Sequence, residues 1–255
     1  MSASPSAFYD ELSEHYHLIF QDWQTSIDWQ AGVLGLLIER ECGKRSARIL
    51  DCCCGIGTQT LGLAARGHHV TGSDVSPASI ARARREAAQR GLAIDFRVAD
   101  VRRLDEISGP PFDVVLAADN SLPHLPSDDD LRQAAAAVLS RLVPDGIFIA
   151  TIRDYDQLVI ERPAMQPPVF HNDPGGRRFY HQVWDWTSER TYTLHLYLTW
   201  EHEGGWKSRH FVATHRALLR TELEAALTAV GFQEVRWLMP VESGYYQPMV
   251  IASRT

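Results

Sequence analysis

Ala47-Arg48-Ile49-Leu50-Asp51-Cys52-Cys53-Cys54-Gly55-Ile56-Gly57-Thr58 reads as an apolar strand that runs into a glycine turn, with a helix starting behind it. Gly55 and Gly57 let the backbone turn sharply and approach a ligand closely. The helix, over 58–67, stops at Gly67, and the strand-helix rhythm then repeats along the chain. Residues 68–75 predict a second strand. Residues 76–91 predict a helix with Ser76 as N-cap, Pro77 at its first position and Gly91 past its end. Strands follow over 94–100 and 112–119, then a helix over 127–146 with an acidic first turn and a fifth strand over 146–153. Continuous apolar strands alternating with helices imply an α/β, doubly wound, mostly parallel sheet with helices on both faces.

Upstream, 8–20 predicts an amphipathic helix, and a second helix runs from about 24 through Val33, Leu34, Leu36 and Leu37 until Gly43 stops it. Downstream the rhythm changes. Residues 155–176 read as a proline-rich loop, followed by three alternating, aromatic-rich runs at 177–187, 190–203 and 206–218. These predict an antiparallel insertion. A helix over 221–231 and strands over 232–239 and 248–254 would complete a seven-stranded sheet. The expected division is a helical lid over 1–43, a nucleoside-binding α/β domain over 44–154 and 217–255, and a β insertion over 155–216 that covers the substrate.

Composition narrows the function. The 255 residues are 45% hydrophobic and 22% charged, with a net charge of -7. That balance is ordinary for a globular chain and argues against a nucleic-acid surface, which relies on clustered Lys and Arg. The one basic cluster, Arg82, Arg84 and Arg85, reads as a solvated helix face. No stretch approaches the roughly 20 apolar residues that cross a bilayer, and the acidic amino terminus lacks a signal pattern. A cytoplasmic protein acting on a small molecule is expected. The four cysteines, Cys42 and Cys52 to Cys54, have no metal-ligand spacing and read as small buried hydrophobes, with no metal site.

Four acids stand at successive strand ends: Asp51, Asp74, Asp100 and Asp119. Open α/β sheets bind ligands at that edge. Asp74 can accept from both ribose hydroxyls, and Asp100, followed by Val101, from an adenine amino group. A dinucleotide fingerprint competes, but it wants a third glycine where this chain has Thr60. Asp51 would repel a pyrophosphate and attract an ammonium. S-adenosylmethionine has an ammonium and no phosphate.

Over nearly all of the chain the sequence resembles the class I S-adenosylmethionine-dependent methyltransferases. Within that class it resembles the glycine and sarcosine N-methyltransferase group, on three pieces: Asn120-Ser121-Leu122-Pro123-His124-Leu125-Pro126, Ile152-Arg153-Asp154-Tyr155-Asp156, and the β insertion after the fifth strand. The amino-terminal run, with Tyr9, Tyr16 and Trp23, is similar to the lid of bacterial relatives. The resemblance implies S-adenosylmethionine as donor and S-adenosylhomocysteine as product. It implies backbone contacts from Cys53, Gly55, Gly57 and Ala118, side chains of Asp51 and Asp119 near the methionine part, and Asp74, Val75, Asp100 and Val101 around the adenosine, with Tyr16 and Trp23 closing over it. Asn120, Arg153 and Tyr9 would face the acceptor, Arg153 pairing a carboxylate. Where eukaryotic glycine-binding members have a lid arginine, this chain has Gln24, Thr25 and Ser26.

Methyl transfer from a sulfonium needs mainly proximity and orientation. His124 is the one candidate for proton handling, against a role in bonding its own loop. His195 and His215 read as packed or surface residues, and Trp184, Trp186, Tyr192, Tyr197 and Trp200 as the core of the insertion. Arg153 could instead pair with Asp154 or Asp156 at the surface. The expected activity is N-methylation of a small amine bearing a carboxylate. O- or C-methylation of a secondary metabolite, or binding without catalysis, are the alternatives.

Overall fold

Strand β1 (Arg48–Asp51) is central because all its side chains but the first are buried, so both its faces need cover. In the computed structural model, which describes residues 4–255, β1 pairs in parallel with β2 (His69–Asp74) and β4 (Phe112–Ala117). Strand β3 (Asp95–Val98) extends one side and β5 (Leu142–Thr151) the other, both parallel. Strand β11 (Met249–Ser253) then runs antiparallel between β5 and β10 (Gln233–Leu238). The seven-stranded order is β10-β11-β5-β4-β1-β2-β3.

Helix α2 (Trp23–Cys42) and helix α3 (Thr58–Ala65) cover one face. Ala31, Leu34, Leu37 and Ile38 of α2 pack with Ile49, Leu63, Val114, Leu116 and Ile149. The two helices lie so close that a Cβ on Gly62 would stand 2.5 Å from that of Ala31 and 2.7 Å from the Ile27 carbonyl oxygen. Helix α2 is therefore a structural layer of the α/β domain. Its first turns also line a cavity through Ser26, Trp29 and Gln30, as the segment before it does through Tyr9 and Tyr16. The expected helix over 8–20 is α1 (Pro5–Leu12), capped by Ser4, followed by a separate 3-10 turn at Tyr16–Ile19. Helix α4 (Pro77–Gln89) begins on the Ser76 cap as expected. Arg82 on it is buried, not solvated: it donates to the Ser13 carbonyl oxygen and lies over the Trp23 ring, tying α4 to the amino-terminal segment.

The opposite face is covered by α5 (Asp128–Arg141) and α7 (Arg220–Val230), through Leu131, Val138, Leu223 and Leu227 against Leu50, Val115 and Phe148. This core continues without a break into the insertion, whose Leu194, Leu196, Leu198 and Phe211 meet Phe8 and Leu12 of α1. The insertion has four strands, not three: β6 (Met165–Asp173), β7 (Gly176–Trp186), β8 (Thr191–His202) and β9 (Gly205–Arg216), in that order. The expected loop over 155–176 is thus helix α6 (Tyr155–Glu161) followed by strand β6. Pro167 and Pro168 are tolerated there because β6 is an edge strand, and the pairing skips between Gln166 and Val169. Strand β1 stops at Asp51, so the cysteine run forms the turn rather than the strand.

Candidate active site

The turn after β1 opens the site. Gly55 and Gly57 adopt φ of 52° and 97°, values that side chains rarely take, and a Cβ on Gly55 would meet nothing within 4 Å. The Gly55 N–H donates to Asp74 Oδ2 and the Ser76 N–H to Asp74 Oδ1, both at 2.9 Å, so Asp74 ties the turn to the end of β2. Burial pushes the Asp74 carboxyl above its usual range. Beside the turn lies a cavity of about 490 Å³. Tyr16, Cys53, Gly55, Asp74, Val75, Asp100, Val101, Ala118 and Asp119 all line it. Three residues expected with them do not. Trp23 donates its indole N–H to Thr58 Oγ1 at 2.9 Å between Arg82 and Arg90, Gly57 lies behind Leu61, and Asp51 is fully buried. Thr60 donates to Asp51 Oδ2 at 2.6 Å, Oδ1 has no partner, and burial pushes this carboxyl up to about 7.

The lining chemistry tests the donor. Asp74, Asp100 and Asp119 present acceptors, while both arginines of the lining are already paired, Arg102 with Asp100 and Asp130 and Arg216 with Asp128 and Glu222. The Arg102 pairing holds the Asp100 carboxyl below the usual carboxylate range. Hydroxyl and ammonium donors suit such a wall, and a pyrophosphate does not. S-adenosylmethionine fits.

Past β4 the chain turns through two consecutive left-handed residues, Asp119 (φ 57°) and Asn120 (φ 66°), a conformation Asn and Asp tolerate best. The Asp119 N–H donates to Thr151 Oγ1 at 2.8 Å and the Asn120 N–H to the Thr151 carbonyl oxygen at 3.1 Å, which holds the kink against β5. The Asp119 carboxylate is thereby swung to the border of the donor cavity and a second cavity of about 620 Å³. Gln59, Tyr245 and Tyr246 all donate to it. Burial still pushes its carboxyl up. Nothing in the sequence near these three residues pointed to that role.

Tyr9, Asn120 and Arg153 line the second cavity. Asn120 works as a bracket: Oδ1 accepts the Arg153 N–H and Nδ2 donates to the Tyr155 hydroxyl, both at 3.0 Å. Arg153 leaves β5 and lies over the Trp184 ring, 4.8 Å from its centre. Its guanidinium donates to the Tyr192 hydroxyl at 3.4 Å and Gln182 Oε1 at 3.3 Å. No carboxylate among the described residues pairs with it. Asp154 and Asp156 pair with Arg220 instead, which removes the surface alternative.

Tyr9 and Tyr16 line both cavities, so they mark the junction. The Tyr9 hydroxyl lies 3.0 Å from His124 Nε2. Burial lowers His124 to about 4, so the ring is neutral at physiological pH, and burial keeps Tyr9 protonated. The imidazole tautomer sets the direction of this bond, and Nδ1 is without a partner. His215, read as packed or surface, is buried on the acceptor cavity with its ring 4.2 Å from that of His124. Its position on alternating strand β9 carried no separate signal. Among the described residues no group of three or more His, Cys, Asp or Glu is placed to hold a metal, and no helix is long and apolar enough to cross a membrane.

A family described as "Methyltransferase domain" matches residues 49–146. The glycine/sarcosine N-methyltransferase of Parasynechococcus marenigrum is 34% identical over 156 residues, 59% of this chain and 55% of that protein. The ubiquinone biosynthesis O-methyltransferase of Xylella fastidiosa is 35% identical over 107 residues, 42% of each. The chain spans about half the length of the relatives it matches. Among solved structures, the S-adenosylmethionine-bound amino pentose methyltransferase from Micromonospora echinaspora superposes with a TM-score of 0.72 at 22% identity, covering 90% of this chain and 92% of that one. Residues 49–146 thus match a methyltransferase-domain family, and the chain as a whole has the fold of the S-adenosylmethionine-bound structure on which it superposes.

Proposed function

We propose that the protein methylates the nitrogen of a small amine that also bears a carboxylate. The observation that carries this reading is Arg153, a guanidinium at the acceptor cavity with no acidic partner among the described residues. Two parallel N–H donors match a carboxylate, and neutral Tyr192 and Gln182 leave the positive charge uncompensated. Asp119 lines the same cavity, so groups of both charge signs face an acceptor there, which suits a zwitterion or an amino acid-like molecule. The glycine/sarcosine relative and the amino pentose enzyme, by their names, act on amino compounds, which supports nitrogen as the target.

S-adenosylmethionine, when bound, supplies a methyl group on a sulfonium that is already a good leaving group. The side chains have the remaining task of bringing a lone pair into line. Asp74, Asp100 and the glycine turn would hold the donor. In the tautomer with its proton on Nδ1, His124 Nε2 accepts the Tyr9 hydroxyl proton, and the Tyr9 oxygen lone pairs can then accept an N–H of the neutral amine and aim the nitrogen. Proximity and orientation of this kind contribute up to roughly 7–11 kcal/mol. Helix α1 and the insertion cover the junction and exclude water. The test is release of S-adenosylhomocysteine on incubation with glycine, sarcosine, other amino acids and phenolic acids. Turnover on phenolic acids alone would overturn nitrogen as the target.

A further inference from the structure

The acceptor cavity does not end at Arg153. A groove of about 650 Å³ continues on the far side of the guanidinium, and Arg153, Asp154, Tyr180 and Gln182 line both spaces. The groove exists because α6 and the edge strand β6 lie apart. The pairing of β6 with β7 skips between Gln166 and Val169, and Pro167 and Pro168 have no N–H to close the ladder. Its walls are Leu158 from α6, Pro168 and Val169 from β6, and Tyr180 and Trp184 from β7. Trp184 lends Arg153 one ring face, and Gln157, Gln166 and His181 add polar groups to the lining. The rim is acidic, with Glu161 and Asp154, and neither lysine nor a second arginine lines the groove.

We infer that the acceptor is an extended molecule, with its amine at Tyr9, its carboxylate on Arg153 and an uncharged aryl or alkyl tail in the groove beyond. This rests on the reading of Arg153 as the carboxylate's partner. Continuity of the two spaces across one guanidinium names the occupant: a carboxylate on Arg153 puts the carbon that bears it at the passage, so a branch on that carbon can enter the groove. An anionic branch would meet Glu161 and Asp154, whereas Leu158, Pro168, Val169, Tyr180 and Trp184 offer contact to an uncharged one. Each cavity is also of the size that takes a whole small ligand rather than a few atoms, so glycine, which has no side chain, would leave most of the space unfilled. A dipeptide-like acceptor such as glycyl-phenylalanine has the required connectivity, an amine at one end and a carboxylate and a benzyl group on the same distal carbon.

Calorimetry with glycyl-glycine and glycyl-phenylalanine, in the presence of S-adenosylhomocysteine, tests the tail. The phenyl ring is expected to tighten binding about tenfold, less than full burial of a ring would deliver. Val169→Trp fills the groove at an edge-strand position that is 37% exposed, where the fold tolerates bulk, and a thermal melt checks that it does. In that variant the preference for the phenyl peptide should fall to less than threefold. Equal affinity of the two peptides in the wild type, or a tenfold preference that survives Val169→Trp, overturns the groove. Binding of neither peptide overturns it as well. Arg153→Ala separates the two readings. A tail preference that persists while overall affinity is unmoved would leave the groove standing and refute Arg153 as the carboxylate partner.

Discussion

Arg153 is positioned by its own main chain: its N–H is held by Asn120 and its plane by Trp184, so the fork is set before a ligand arrives. Arg153→Lys keeps the charge but loses the fork, and should raise KM for a carboxylated acceptor roughly ten- to a hundredfold with donor affinity nearly unchanged. Steady-state kinetics reads this, and a wild-type KM would contradict it. Asp74→Ala removes the acceptor that holds both the Gly55 and the Ser76 N–H, and should weaken S-adenosylhomocysteine binding by about 1.5–3 kcal/mol in calorimetry. Asp51 makes a pH prediction. Its folded pKa is raised, so its protonated form stabilises the fold below the unfolded value of 3.8, and that contribution is lost as pH rises toward about 7. One proton's difference gives a slope of about 1.4 kcal/mol per pH unit across that window. Asp51→Asn should flatten that part of the stability-pH curve from chemical denaturation; an unchanged curve would show that Asp51 does not titrate there. The acids at the strand ends were legible in the sequence because each follows an apolar run. The partners of Asp119 were not: Gln59 and Tyr245 lie far from it in the chain, and only the packing of α3 and the segment after β10 brings them together.

Helix α1 reaches the site by clamping onto another helix. Asp10 Oδ1 accepts from Ser76 Oγ at 2.6 Å and the Ala78 N–H at 3.0 Å, placing a carboxylate on the first turn of α4, while Phe8 and Leu12 enter the common core. A carboxylate there is favoured by the exposed N–H groups and the helix dipole, by about 1 kcal/mol. Asp10→Ala should therefore speed amide exchange across residues 5–12 and weaken donor binding, with the global melting midpoint little changed. Unaltered exchange would mean that the core contacts alone hold α1. The elements of the sheet were readable because apolar strands, a Ser76 cap and glycine stops each have a local cause. Helix α6 and strand β6 were not. Their proline density between 163 and 168 reads as loop, and only pairing with β7 makes an edge strand of it. Nor does anything local in α2 reveal that Gly62 draws α3 against it.

Across the whole molecule, the seven-stranded sheet presents acids along one edge, and the end of β5 adds Arg153, which no carboxylate among the described residues pairs. Acids line the first cavity and Arg153 the second, with Tyr9, Tyr16 and Asp119 shared between them. We propose that this arrangement, rather than any single residue, selects an acceptor that carries both an amine and a carboxylate. The measurement that tests it most directly is the rate of S-adenosylhomocysteine release with carboxylated amines and their matched decarboxylated counterparts, for the wild type and Arg153→Ala side by side. The account predicts turnover that depends on the carboxylate in the wild type, and loss of that dependence in the variant. Equal rates for each matched pair in the wild type, or a variant that discriminates as well as the wild type, would contradict it.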